Sequence, residues 1–153
     1  MELINVLNKP ELFRELTEEE LALIVTCVKE RSFNDGEEIF GQNSVGDEMF
    51  IINEGTVAIR RMIHGEEGVE IARLAKGQIL AEQSFFDGSP RSAAAVAEGR
   101  VGVLVLRRDE FFKTLEKNPA MMSKILLSVI GTLSERLRET SYKLSLYRPF
   151  HHS

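Results

Sequence analysis

Ten of the chain's eleven glycines fall between residues 36 and 102, and apolar residues gather between them in short bursts. The bursts are Ile39-Phe40, Met49-Phe50-Ile51-Ile52, Val57-Ala58-Ile59, Val69 to Leu74, Ala93 to Ala97 and Val101 to Leu106. Short apolar runs between closely spaced turn signals are the mark of short strands. The rhythm from Ser32 to Arg107 therefore predicts a β-sandwich or barrel. Glu54-Gly55-Thr56 and His64-Gly65-Glu66-Glu67-Gly68 read as hairpin turns within it.

Helical patterns flank this region. Pro10 opens a short segment from Glu11 to Leu16, and Thr17-Glu18-Glu19-Glu20 has the form of a capping box. Leu21, Ile24, Val25 and Val28 follow at helical spacing, so this helix is expected to end near Arg31. After the strands, Asp109 is placed to cap Glu110 to Glu116. Asn118-Pro119 then puts a capping residue and an N1 proline at the start of a pattern that runs to Tyr147, before Pro149. That is about 29 residues, or roughly 43 Å of helix. Its apolar stripe runs through Met122, Leu126, Val129, Leu133, Leu137, Leu144 and Tyr147, with Thr140 inside it. The earlier half can pack on the strands. The later half would overhang, and the simplest cover for an apolar overhang is the same helix of a second copy. The alternative is a helix that bends back over its own domain.

With 153 residues, the expectation is one domain over 1–153, divided into helices at 1–31, strands at 32–108 and helices at 109–148. A net charge of −5 argues against nucleic-acid binding by this chain alone, since duplex affinity rests on neutralised phosphates. Cys27 is the only cysteine, which forbids an internal disulfide and points to a reducing compartment. Residues 1–30 hold no signal-peptide core, and no apolar run nears the roughly 20 residues of a membrane helix. A cytoplasmic chain without membrane contact is the expectation. Catalysis is not expected. His64 stands alone, His151-His152 close the chain, and no Ser-His-Asp set or Cys-His pair appears. No metal or cofactor is expected, because neither clustered His and carboxylate ligands nor the four thiolates of an iron–sulfur cluster are present.

Chemistry concentrates in Leu80-Ala81-Glu82-Gln83-Ser84-Phe85-Phe86-Asp87-Gly88-Ser89-Pro90-Arg91-Ser92-Ala93. A carboxylate and a guanidinium are separated by a short apolar turn and a Gly-Ser-Pro bend. Arg91 can fork onto a phosphate, and Glu82 can accept from a sugar hydroxyl. A plain ion pair between loop ends is the structural alternative.

This segment resembles the phosphate-binding cassette of cyclic nucleotide-binding domains. Phe33-x-x-Gly36-x-x-Ile39 and Gly46-Asp47-x-x-Phe50-x-Ile52-x-x-Gly55-x-Val57-x-Ile59 are similar to the framework of that family's β-roll. The resemblance covers nearly the whole chain. It implies a mainly β fold, a double-stranded β-helix or jelly-roll-like β-roll, with N-terminal helices and a long C-terminal helix like those of the catabolite activator regulators. Those regulators continue into a helix-turn-helix domain, whereas this chain stops at Ser153. The expectation is a stand-alone sensor or an excised effector domain with no DNA-reading element of its own.

The family's site carries over residue by residue. Arg91 would pair with the cyclic phosphate, and Glu82 would accept from the ribose 2′-hydroxyl. Leu80, Ala81, Gln83 and Ser84 would complete the cassette, with the N–H groups of Ser84 and Ala93 directed at the phosphate. The Ser92 hydroxyl would add a phosphate contact or reach the 2-amino group of a syn guanine. Ile59, Ile71, Leu74 and Leu80 would form an apolar wall. On the long helix, Arg136 would lie near the ligand. Thr140 and Ser141 would contact adenine across a homodimer, which favours cyclic AMP over cyclic GMP. The helix is one turn longer than the family pattern up to Thr140, a rise of about 5.4 Å. A polar position in a coiled-coil seam is the other reading of Thr140. Ala81 stands where the family has glycine. If that position needs positive φ, a β-carbon there costs about 1 kcal/mol. The alternative function is a ligand-free dimerisation scaffold with a degenerate pocket.

Overall fold

The computed structural model describes residues 2–63 and 66–147. The expected turn at His64-Gly65 and the segment after Tyr147 lie outside them. Helix α1 spans Glu2–Leu7, within the helical region expected over 1–31, and Glu11–Phe13 forms one 3-10 turn. The capping box forms as expected. Thr17 Oγ1 accepts from the Glu20 N–H at 3.1 Å, and Glu20 Oε1 accepts from the Thr17 N–H at 2.9 Å. It opens α2, Glu18–Val25.

That helix stops well short of Arg31. Residues Val28–Phe33 form β1, paired one for one with Leu106 to Val101. The helical spacing of Leu21, Ile24, Val25 and Val28 is real but is cut by this distant partner, whose backbone groups satisfy those of β1. The boundary between N-terminal helices and strands therefore lies at Val28, not Ser32.

Strands β2 (Glu38–Phe40), β3 (Glu48–Ile63), β4 (Glu66–Leu74), β5 (Ile79–Leu80) and β6 (Ala94–Arg107) complete an antiparallel roll. Its pairing order is β1-β6-β3-β4, with β2 against β6 and β5 against β3. Gly55 is not in a hairpin turn. It sits inside β3, where the register against β6 shifts on either side of Glu54. Its φ is +89°, and a β-carbon there would overlap the Arg100 carbonyl. Gly55 is thus a bulge residue that bends β3 into the roll.

The continuous run Met49-Phe50-Ile51-Ile52 follows from burial on both faces. Met49 and Ile51 join Leu104 and Leu106 in a core shared with the helices. Phe50 and Ile52 face the other way and join Val103 and Val105 inside the roll. Alternation along each strand sends successive side chains to opposite faces.

Between β5 and β6 lies α3, Glu82–Asp87. After β6 come α4, Arg108–Glu116, and α5, Pro119–Leu146. Asp109 is in the first turn of α4 rather than at its cap, which Arg107 occupies without a side-chain bond. Asn118 is the N-cap of α5 by position, yet its Nδ2 donates back to the Thr114 carbonyl at 2.8 Å. Its side chain closes α4 instead of opening α5. Phe85, Phe86, Phe111 and Phe112 interlock α3 with α4, with Phe85 and Phe111 edge to face at 5.4 Å.

The docked face of α5 is not the whole stripe expected of it. Met121 and Ile125 are fully buried, and Met122 and Val129 pack beside them. Leu126, Leu133, Leu137, Leu144 and Tyr147 are exposed on this chain. Lys124 ties the docked half to α2 through Glu20 Oε1 at 2.7 Å. That bond, with the Thr17 amide, holds the Glu20 carboxyl below the usual carboxylate range.

Candidate functional site

Leu80 enters the roll from β5, buried opposite Phe50. The next residue, Ala81, has φ +64° and ψ +27°, in the left-handed region, and stands at the N-cap of α3. The departure from glycine noted in the sequence is therefore a strained one. The bend allows α3 to begin at once, with Glu82 in its first turn. Ser84 is buried, and its hydroxyl donates to the Ala81 carbonyl at 3.2 Å. The helix ends at Gly88, also left-handed. Asp87 Oδ1 then accepts from the Ser89 N–H at 2.8 Å, which turns the chain into Pro90-Arg91.

Arg91 is clamped by its backbone. Its carbonyl accepts from the Asn43 N–H at 2.7 Å, and its N–H donates to the Ser44 carbonyl at 2.9 Å. Its side chain is buried over Phe40, with the guanidinium carbon 4.6 Å from the ring centroid. Gly46 permits this approach, since a β-carbon there would lie 2.5 Å from Nη2. The guanidinium's bonds are poor. Nη1 donates to Ser44 Oγ at 3.5 Å, Nη2 to the Glu48 carbonyl at 3.4 Å, and buried Nε has no partner. No carboxylate among the described residues lies within 4.0 Å of it. Burial lowers its pKa, only partly offset by Glu48 and Asp47. A buried cation so placed calls for an anion.

Glu82 lines the same cleft. Burial pushes its carboxyl above the usual range, opposed by Arg136, whose Nη2 donates to Oε1 at 3.5 Å. The Glu11 carboxylate pushes in the same direction as burial. The alternative of a Glu82–Arg91 ion pair is not what forms. Glu82 pairs with the long helix, and Arg91 stays without a carboxylate.

The cleft holds about 360 Å³, at the small end of small-molecule sites. Its wall includes Ile59, Leu74 and Leu80 as expected. Ile71 is exposed outside it, and Ala72 takes the place. Ala72 pairs directly with Ile59 and shares a face with Leu74, two residues on, whereas Ile71, three residues before Leu74, points the other way. Gln83 and Ser92 are exposed at the rim, Ala93 is buried, and Arg136 closes one side. The Ser92 carbonyl accepts from Arg61 Nε at 3.1 Å. Thr140 and Ser141 do not line the cleft. They are exposed, farther along α5. Sequence reasoning missed Phe40 and Ser44 as neighbours of Arg91. Only the framework motif around Gly46 hinted at that loop.

The β-roll thus brings a buried guanidinium with an unsatisfied Nε and a half-buried carboxylate to one apolar cleft. The family model described as the cyclic nucleotide-binding domain matches residues 30–118, and the chain belongs to that family. It is 29% identical over 135 residues to the cyclic AMP receptor protein of Thermus thermophilus, covering 88% of this chain and 61% of that protein. A cGMP-dependent protein kinase, egl-4 of Caenorhabditis briggsae, is 33% identical over 116 residues, or 74% of this chain and 16% of the kinase. The chain thus spans about three fifths of one relative and about a sixth of the other. Among solved structures, the Thermus thermophilus catabolite activator protein superposes with a TM-score of 0.79 at 28% identity, covering 90% of this chain and 62% of that one. The N-terminal domain of a Streptomyces coelicolor transcriptional regulator gives 0.79 at 27% identity, covering 88% and 94%.

Two outcomes follow from this geometry. Ala81→Gly is expected to raise stability by about 0.5–1 kcal/mol in urea unfolding, because glycine removes the left-handed strain. No change would mean that the Ala81 strain is absent in solution. Glu82 gives a pH dependence of definite sign. Its folded pKa is raised, so its stabilising contribution is full below the ordinary carboxylate range and is lost as pH rises through the elevated value. Glu82→Gln is expected to remove that decline, so the variant gains on the parent as pH rises above the ordinary carboxylate range. Parallel curves would show an unperturbed carboxyl.

Proposed function

We propose that the chain is a cyclic nucleotide sensor, with 3′,5′-cyclic AMP the favoured ligand, that signals through α5. The carrying observation is Arg91, a buried guanidinium in the cleft with no carboxylate partner and an unsatisfied Nε. The cyclic phosphate supplies one negative charge to it. The ribose 2′-hydroxyl donates to Glu82, and the purine lies on the apolar wall. The first amides of α3 and that of Ala93 border the phosphate position. This is a binding role rather than a catalytic one, and it needs no cofactor.

The homodimer follows from α5. Leu126, Ile130, Leu133, Leu137, Thr140, Leu144 and Tyr147 succeed one another at steps of four and three, and all are exposed on the single chain. That is a coiled-coil seam with one polar position. It supports a second copy bringing Thr140 and Ser141 towards the purine, the basis for preferring adenine. Ser92 at the cleft rim keeps cyclic GMP as the competing ligand. The charge of −5 supports a chain that does not bind nucleic acid by itself, and the lone buried Cys27 supports a reducing, cytoplasmic setting.

Isothermal titration calorimetry with cyclic AMP, cyclic GMP and 5′-AMP tests the reading. Micromolar binding of one cyclic form, with 5′-AMP far weaker, is expected. Arg91→Ala should weaken it by roughly 10- to 150-fold, the worth of a charged hydrogen-bonded contact. Absence of heat with both cyclic forms would leave the ligand-free scaffold. Sedimentation velocity tests the seam: Leu133→Glu with Leu137→Glu is expected to convert a dimer to a monomer, and a parent that sediments as a monomer would refute it.

A further inference from the structure

Arg91 is buried with its Nε unpartnered, and its Nη hydrogen bonds, at 3.5 and 3.4 Å, are too long to hold it well. Its close neighbour is an aromatic face. The guanidinium carbon stands 4.6 Å from the centroid of the Phe40 ring and 5.7 Å from that of Phe50. Both lie inside the roughly 6 Å reach of a cation–π contact, which strengthens where water is excluded. The nearer ring is itself fixed. Phe40 closes β2, half-buried, opposite Ala95 of β6. It stacks on Phe50 with centroids 5.7 Å apart and planes at 25°. Phe50 is fully buried and paired with Leu80, the residue before Ala81. The guanidinium is thus in contact with an aromatic face and with the bare backbone at Gly46.

The kind of neighbour decides what Arg91 can still do. A guanidinium carries its N–H donors around its edge, in its own plane, and stacks on rings by its face. A carboxylate neighbour would take the donors that an anion needs, whereas a ring takes none. Phe40 also lines the cleft, so the held face and the free edge belong to one site. We propose that Phe40 is the positioning residue for Arg91: its ring keeps the buried guanidinium at the cleft and leaves Nε and both Nη atoms open to an anion. The anion's identity as a cyclic phosphate rests on the cyclic nucleotide reading. The ring's hold on Arg91 does not.

Replacement of Phe40 by phenylalanines with one, two and three ring fluorines keeps the shape of the side chain while draining the negative face of the ring. Calorimetric titration with cyclic AMP and cyclic GMP is expected to show affinity falling stepwise along that series. Phe40→Leu should weaken binding by about 2- to 30-fold, the span of a cation–π contact, and Phe40→Tyr should restore it. In an Arg91→Ala background, Phe40→Leu should cost nothing further, because the ring then has no cation to hold. A flat fluorine series, a full loss in that background, or tighter binding by Phe40→Leu would overturn the proposal. The ring's hold is also read without ligand, from the Arg91 Nε–H signal by NMR. Phe40→Leu is expected to shift that signal and speed its exchange with water, and an unmoved signal would overturn the proposal too. If the parent binds neither nucleotide, the functional reading fails and the NMR signal alone decides the role of Phe40.

Discussion

The antiparallel pairing of β3 with β6 is the interaction on which the other parts depend. It runs from Glu48 opposite Arg107 to Arg60 opposite Ala94. Each residue of β3 is thereby assigned to one of two cores, and a slip of one residue would exchange them. Met49 and Ile51 would leave the helices, and Phe50 and Ile52 would leave the roll. The same pairing carries the site. β6 begins just after Arg91, so its first rungs hold the arginine at the cleft. β3 also carries β5, and with it the start of α3.

On that frame, the two charged groups of the cleft are treated differently. Arg91 is held rigidly, by two backbone hydrogen bonds, an aromatic ring beneath it and a glycine that makes room. Glu82 is held lightly, through an arginine on a helix that leaves the body. An anion would meet a preorganised partner, while a hydroxyl would meet a carboxylate already engaged with Arg136 of α5. α3 is keyed to α4 through stacked phenylalanines, so events in the cassette have a packed route towards α5.

What was legible in the sequence was what local chemistry decides. Thr17 and Glu20 announce a capping box because both partners lie within one turn. Pro119 and the unbroken pattern after it announce the long helix. Glu82 and Arg91 stood out by residue type and spacing. Most of the misreadings come from pairing between distant segments. Val28 continues a helical stripe perfectly well until β6 claims it. Gly55 has the same positive φ in a turn or a bulge, and only the partner strand distinguishes them. Ile71 is a different case: strand alternation alone puts Ala72, not Ile71, on the face of Leu74. Phe40, at the end of β2, and Ser44, in the loop after it, reach Arg91 from a segment that sequence adjacency cannot connect to it. Thr140 and Ser141 lie on a part of α5 that a single chain does not bring to the cleft.

Ala81 has an evolutionary side. Alanine and glycine codons differ only in their second base. The cassette is therefore one nucleotide change from a relaxed backbone at the residue that launches α3. That single mutational step would relax or restore the strain at the start of α3 while every charged residue of the cleft stays the same.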